Sequence, residues 1–152
     1  MPNFRRSMKN QVLLSMQSSA TKLGLHINIF HNPAIFITNV RSGISGNVLK
    51  NALEEIGNEY AFSRALHTDP AGLHEYCSDE VINPHKSEII LDTIFVLNSV
   101  HHIWESAELA NDWLVSRVSA LGGEKPADLF DSWEGRRWVL SVAEKIERGE
   151  FS

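Results

Sequence analysis

The chain reads as an all-α protein, and three observations predict it. From Trp133 onward, Trp138, Val139, Val142, Ala143 and Ile146 recur at steps of three and four and form one apolar stripe. Helix-start signals recur along the chain: Thr68 or Asp69 before Pro70, Asn83 before Pro84, then Ser106 and Ser132, each able to cap a following apolar-periodic run. The run Ile35 to Val40 passes for a strand by its β-branched content, but it is short and has no evident partner strand, so it reads as the start of a helical core.

Taken in order, residues 1–34 form a basic, poorly specified leader with room for a short helix around residues 8–23. After Gly43 to Gly46, the segment Asn47 to Ile56 places Val48, Leu49, Ala52, Leu53 and Ile56 on one face and is closed by Gly57-Asn58. A short helix follows over Tyr60 to Leu66. Pro70 opens another whose inward side is Leu73, Tyr76 and Cys77. Asn83-Pro84 begins a longer helix with Ile89, Ile90, Ile94, Leu97, Val100, Ile103 and Trp104 as its apolar face. Ser106 caps a further one with Leu109, Ala110, Trp113 and Leu114 inward. Gly122-Gly123 allows positive φ in a loop, and Pro126 suits the first position of a helical turn, where its missing N–H would be unpaired anyway. Ser132 caps the last helix. Arg136, Arg137, Glu144, Lys145 and Glu147 fall mainly opposite the apolar stripe, and Gly149 ends the run. The reading divides the chain into the leader (1–34), a helix-turn-helix-like core (35–104) and a small C-terminal helical domain (105–152).

Composition narrows the function. A length of 152 residues allows one sizeable core or two small helical subdomains, removing about two-thirds of the unfolded surface from water. The single Cys77 excludes an internal disulfide and fits a reducing cytoplasm. No stretch approaches the roughly 20 apolar residues of a membrane span, and no signal-peptide pattern is evident, so a cytoplasmic location is expected. The net charge of -5 conceals a division: residues 1–53 hold six cations and no acid, whereas residues 54–152 hold eight cations and nineteen acids. Arg5, Arg6, Lys9 and Arg41 are the candidate phosphate contacts on DNA.

His67, His74, Cys77 and His85 do not reproduce a paired zinc-ligand spacing, and His101-His102 diverge by about 100° on a helix, so no metal is expected. No Gly-rich phosphate loop, nucleophile elbow or zinc-binding helix motif occurs, and neither an enzyme nor a cofactor is expected.

An ordered set of short motifs points further: Trp113-Leu114, Leu121-Gly122-Gly123, Pro126 with Leu129-Phe130, Glu134-Gly135-Arg136, and Ile146-Glu147-Arg148-Gly149. This set resembles the C-terminal toxin-binding domain of the Xre/MbcA/ParS antitoxins. Toward the front, Val40 to Ser45 and Asn83 to Glu88 are similar to that family's motifs, so the resemblance covers roughly residues 40–151. It implies an antitoxin that occludes the active site of a protein toxin with an NAD-degrading RES domain, acts as a homodimer or in a hetero-oligomer with that toxin, and also regulates its own transcription. It further implies that the C-terminal helix and tail enter the toxin's cleft, with Arg136, Arg137, Arg148, Gly149, Glu150, Phe151 and Ser152 as interface candidates.

One departure stands out. The stretch matching the family's DNA-recognition helix, Asp69 to Tyr76, carries no Lys or Arg, and Asp69 and Glu75 would repel phosphate. Two other readings therefore stay open: a DNA-binding repressor whose affinity comes from the basic arm, and a helical scaffold without a toxin partner.

Overall fold

The computed structural model describes the backbone of residues 2–150 and the side chains of residues 11–150. Among them there are helices and no strand. The order is α1 (Pro2–Leu23), α2 (Pro33–Ser42), α3 (Gly46–Glu55), α4 (Glu59–Leu66), α5 (Pro70–Cys77), α6 (Pro84–Trp104), α7 (Ala107–Leu114), two 3₁₀ turns (Ser119–Leu121 and Pro126–Asp131), and α8 (Trp133–Glu147).

Local chemistry explains where these helices start. Each helix from α2 to α8 opens on a polar side chain that accepts from an otherwise unpaired backbone N–H of its first turn: Asn32, Ser45, Asn58, Asp69, Asn83, Ser106 and Ser132. In three of them proline occupies the first helical position, where it forfeits no hydrogen bond.

The long α6 is the axis of the fold, and α1, α2, α4, α7 and α8 all pack against it. Its Ile90, Leu91, Ile94, Val96, Leu97 and Val100 are buried, as are Leu49 and Ala52 of α3, Phe62 and Leu66 of α4, and Val139 and Ala143 of α8. One continuous cluster of buried side chains runs from Ala20 to Ala143, across both expected boundaries at 34/35 and 104/105. Polar links cross the second boundary as well. Arg64 of α4 donates to the Asp128 carbonyl (3.0 Å) and to the Asp131 carboxylate (3.1 Å), and Tyr60 donates to Asp128.

Several expectations need correction. The helix expected around residues 8–23 is found within the longer α1 (Pro2–Leu23), and the later part of the leader joins the core, where Met16, Ala20, Leu23 and, beyond it, Ile29 are buried. Its polar composition hid this because a long helix needs only one narrow stripe to dock. Leu109 is 55 % exposed, since α7 turns Ala110 and Leu114 inward instead. Trp138, about 100° around the helix from Val139, lies at the edge of the α8 stripe and is 44 % exposed. Arg136 is buried, for the reason given below.

Gly135 has a steric explanation. A Cβ there would overlap the Leu129 carbonyl oxygen, so only glycine lets the first turn of α8 lie against the second 3₁₀ turn.

Candidate functional site

The sequence-derived site residues sort into two places, the first and last turns of α8. At the first, Arg136 donates through Nε to Asp92 Oδ2 of α6 (2.6 Å) and through Nη1 to the Phe130 carbonyl (2.8 Å). Arg137 donates through Nη2 to the other oxygen of the same carboxylate. The Arg137 guanidinium also lies over two rings, 5.2 Å from the centroid of Trp133 and 5.8 Å from that of Phe95, so it faces the electron-rich aromatic surfaces a cation favours. Arg136 is only 5 % exposed. Helical periodicity placed Arg136 on the solvent side with Arg137; the structure turns it inward because Asp92 supplies a buried partner, and an ion pair of this kind requires both members. Its contacts fasten α8 and the second 3₁₀ turn to α6.

Around this junction open two adjoining clefts. The larger, about 560 Å³, lies between the first turns of α6 and α8, with Phe36, His85, Glu88 and Trp133 among its walls. The smaller, about 300 Å³, is bounded by Phe30, Phe36, Phe95, Trp133, Asp92 and Arg137. Phe36 and Trp133 are common to both, and Trp133 is 59 % exposed. Two polar groups of the larger cleft are already engaged: His67 Nε2 lies 2.8 Å from the Asp131 carbonyl, and Lys86 Nζ donates to the Leu66 carbonyl (3.2 Å). Among the described residues no group of three His, Cys, Asp or Glu side chains is arranged to hold a metal ion.

The last turn of α8 is built differently. Arg148 N–H donates to Glu144 O, Gly149 N–H to Ile146 O and Glu150 N–H to Lys145 O, and Gly149 takes φ +70°, closing the helix in the manner of a C-terminal glycine cap. Residues 147–150 are exposed. Arg148 Nε donates to Glu150 Oε1 (2.8 Å), and this hydrogen bond holds the Glu150 carboxyl below its ordinary pKa and raises that of Arg148. Phe151 and Ser152 lie outside the described residues.

The pair α4–α5 has helix-turn-helix proportions, joined through His67 at φ +53°. The exposed residues of its second helix include Ala71, His74 and Glu75, and His74 Nε2 contacts Glu59 Oε1 (2.8 Å), so that face presents no cationic side chain of its own except His74 when protonated. Arg41 is exposed in the last turn of α2. The side chains of Arg5, Arg6 and Lys9 lie outside the described residues.

Sequence reasoning missed Asp92 and the three phenylalanines beside it, Phe30, Phe36 and Phe95. One signal was available: between Ile89 and Trp104, Asp92 is the sole Asp, Glu, Lys or Arg, set among Ile90, Leu91, Ile94 and Phe95, a position that calls for a partner. Which arginines supply it was not readable, because they lie 44 and 45 residues away. No helix among the described residues is long and apolar enough to cross a membrane. No protein-family model matches this chain, and no curated protein matches it.

Proposed function

We propose that this protein is an antitoxin that binds a RES-domain, NAD-degrading toxin and blocks its active site with the C-terminal end of α8. The observation that carries this reading is the contrast within α8: its first turn is fastened to α6 through Arg136 and Asp92, while its last turn is exposed and capped at Gly149. A rigid rod ending in a narrow tail can enter a concave site that a broad surface cannot. Glu147 and Glu150 bring negative charge of the kind that a site for a dinucleotide's phosphates attracts. In this reading Arg148, Gly149, Glu150, Phe151 and Ser152 make the contact, while Arg136 and Arg137, at the other end of α8, hold the helix in position through Asp92.

The test is inhibition of NAD hydrolysis by a RES-domain toxin co-expressed with this chain. Removing residues 149–152 should abolish inhibition while far-UV circular dichroism stays unchanged. Full inhibition by the shortened chain would remove the tail from the mechanism, and failure of the intact chain to bind the toxin would remove the antitoxin reading.

Transcriptional autoregulation is a second role, favoured by the α4–α5 pair. With an acidic α5, phosphate contacts fall to Arg5, Arg6, Lys9 and Arg41. Replacing them with Ala should weaken operator binding and flatten its salt dependence without touching toxin inhibition.

A further inference from the structure

The exposed surface that ends in the tail begins higher on α8. Glu134, Trp138, Ser141, Lys145 and Arg148 recur at steps of four and three, which at 100° per residue puts them in one sector about 80° wide, and all are exposed. Trp138 is the large apolar member of this stripe and is 44 % exposed. The other tryptophans have partners: Trp104 stacks on Trp113 with ring centroids 4.5 Å apart, and the Arg137 guanidinium lies 5.2 Å over Trp133. Among the described residues no aromatic ring or cation packs on Trp138, and its indole N–H has no acceptor.

The size of a toxin contact calls for more than the tail. A stable protein–protein interface takes about 800 Å² from each partner, roughly 20–30 residues, whereas Arg148 to Ser152 supply five. A protein that draws those five into a cleft stands with its rim against the last turns of α8, and the stripe is the surface continuous with them. Trp138 lies ten residues back from Arg148, about 15 Å along the axis at 1.5 Å per residue, within the footprint of an interface of that size.

We propose that the toxin grips α8 along this stripe, with the Trp138 indole seated in an apolar notch of the cleft's rim that also offers an acceptor for its N–H. The inference rests on the function proposed above and divides the labour within it: Trp138 anchors the complex, and the tail blocks the active site. Tryptophan suits the first task because it joins a large apolar area to one directional donor and is enriched among the residues that dominate interface affinity.

The test measures Kd by calorimetry alongside NAD hydrolysis, with the RES-domain toxin of the inhibition assay. Trp138→Ala, and Ser141→Arg to set a bulky side chain on the stripe, should each raise Kd by about tenfold or more, yet both chains should still inhibit fully at saturating concentration. The chain ending at Arg148 should do the reverse and bind measurably without inhibiting. Ser141 is exposed, so its variant carries the test even if Trp138→Ala folds poorly. An unchanged Kd for Ser141→Arg, or for a Trp138→Ala chain with native circular dichroism, would overturn the proposal, as would loss of all binding on removal of the tail. Should the intact chain itself not bind, the antitoxin reading falls first, and this surface with it.

Discussion

The first and last turns of α8 each join arginine to a carboxylate, and the two pairs do opposite work. Arg136 and Asp92 are withdrawn from water and make a joint between helices distant in sequence. Arg148 and Glu150 are half exposed, two residues apart, and tie nothing but their own turn. Burial makes the difference: removing water from a charge makes its partner indispensable, whereas a solvated pair is screened and replaceable. One helix therefore carries a structural arginine at one end and a presentable arginine at the other.

The most damaging way to break the contrast is Asp92→Ala. It strands two guanidinium groups, one of them buried, and should destabilise the fold by about 3–5 kcal/mol in urea unfolding. An equal loss for Arg148→Ala would erase the distinction between the two ends. Next in size is Gly135→Ala, which forces a Cβ onto the Leu129 carbonyl at the base of the same helix and should cost about 1–3 kcal/mol, read as a lower thermal midpoint.

A smaller effect probes the far end of α6. His101 is partly buried with its Nε2 3.4 Å from Asn111 Oδ1, and burial lowers its pKa below the ordinary 6.5. The unfolded chain therefore binds this proton more readily than the folded one. The stability that neutral His101 supports is complete above the unfolded pKa and is lost as pH falls through 6.5 and below. His101→Gln should flatten that part of the stability–pH curve, and an unchanged slope between pH 7.5 and 5.5 would assign it to other groups. The smallest expected effect belongs to the tail. Arg148→Ala and Glu150→Gln should leave the unfolding midpoint where it is, yet weaken the toxin inhibition proposed above, and a shift in the midpoint would show that the last turn holds up the fold after all.

Much of the architecture was legible. Asp69, Asn83, Ser106 and Ser132 all cap the helices expected of them, because a cap depends on residues two or three positions away. Gly149 ends α8 with positive φ for the same local reason. A helix over residues 8–23 was legible and lies within α1, but its docking was not, since the narrow stripe Met16, Ala20 and Leu23 is diluted by polar neighbours and gains meaning only against α3 and α6. Of the candidate site, Arg148, Gly149 and Glu150 are exposed, whereas Arg136 is buried.

Helical class, helix starts and the division of charge along the chain follow from short-range chemistry, and the amino-acid order carries them unaided. Which arginine is a joint and which is displayed, and that Phe30, Phe36, Phe95 and Trp133 share one groove, depends on contacts between residues tens of positions apart. A helical pattern records that a side chain is charged or apolar. It does not record the distant group that packing will set opposite it, and for a buried charge that group determines the role.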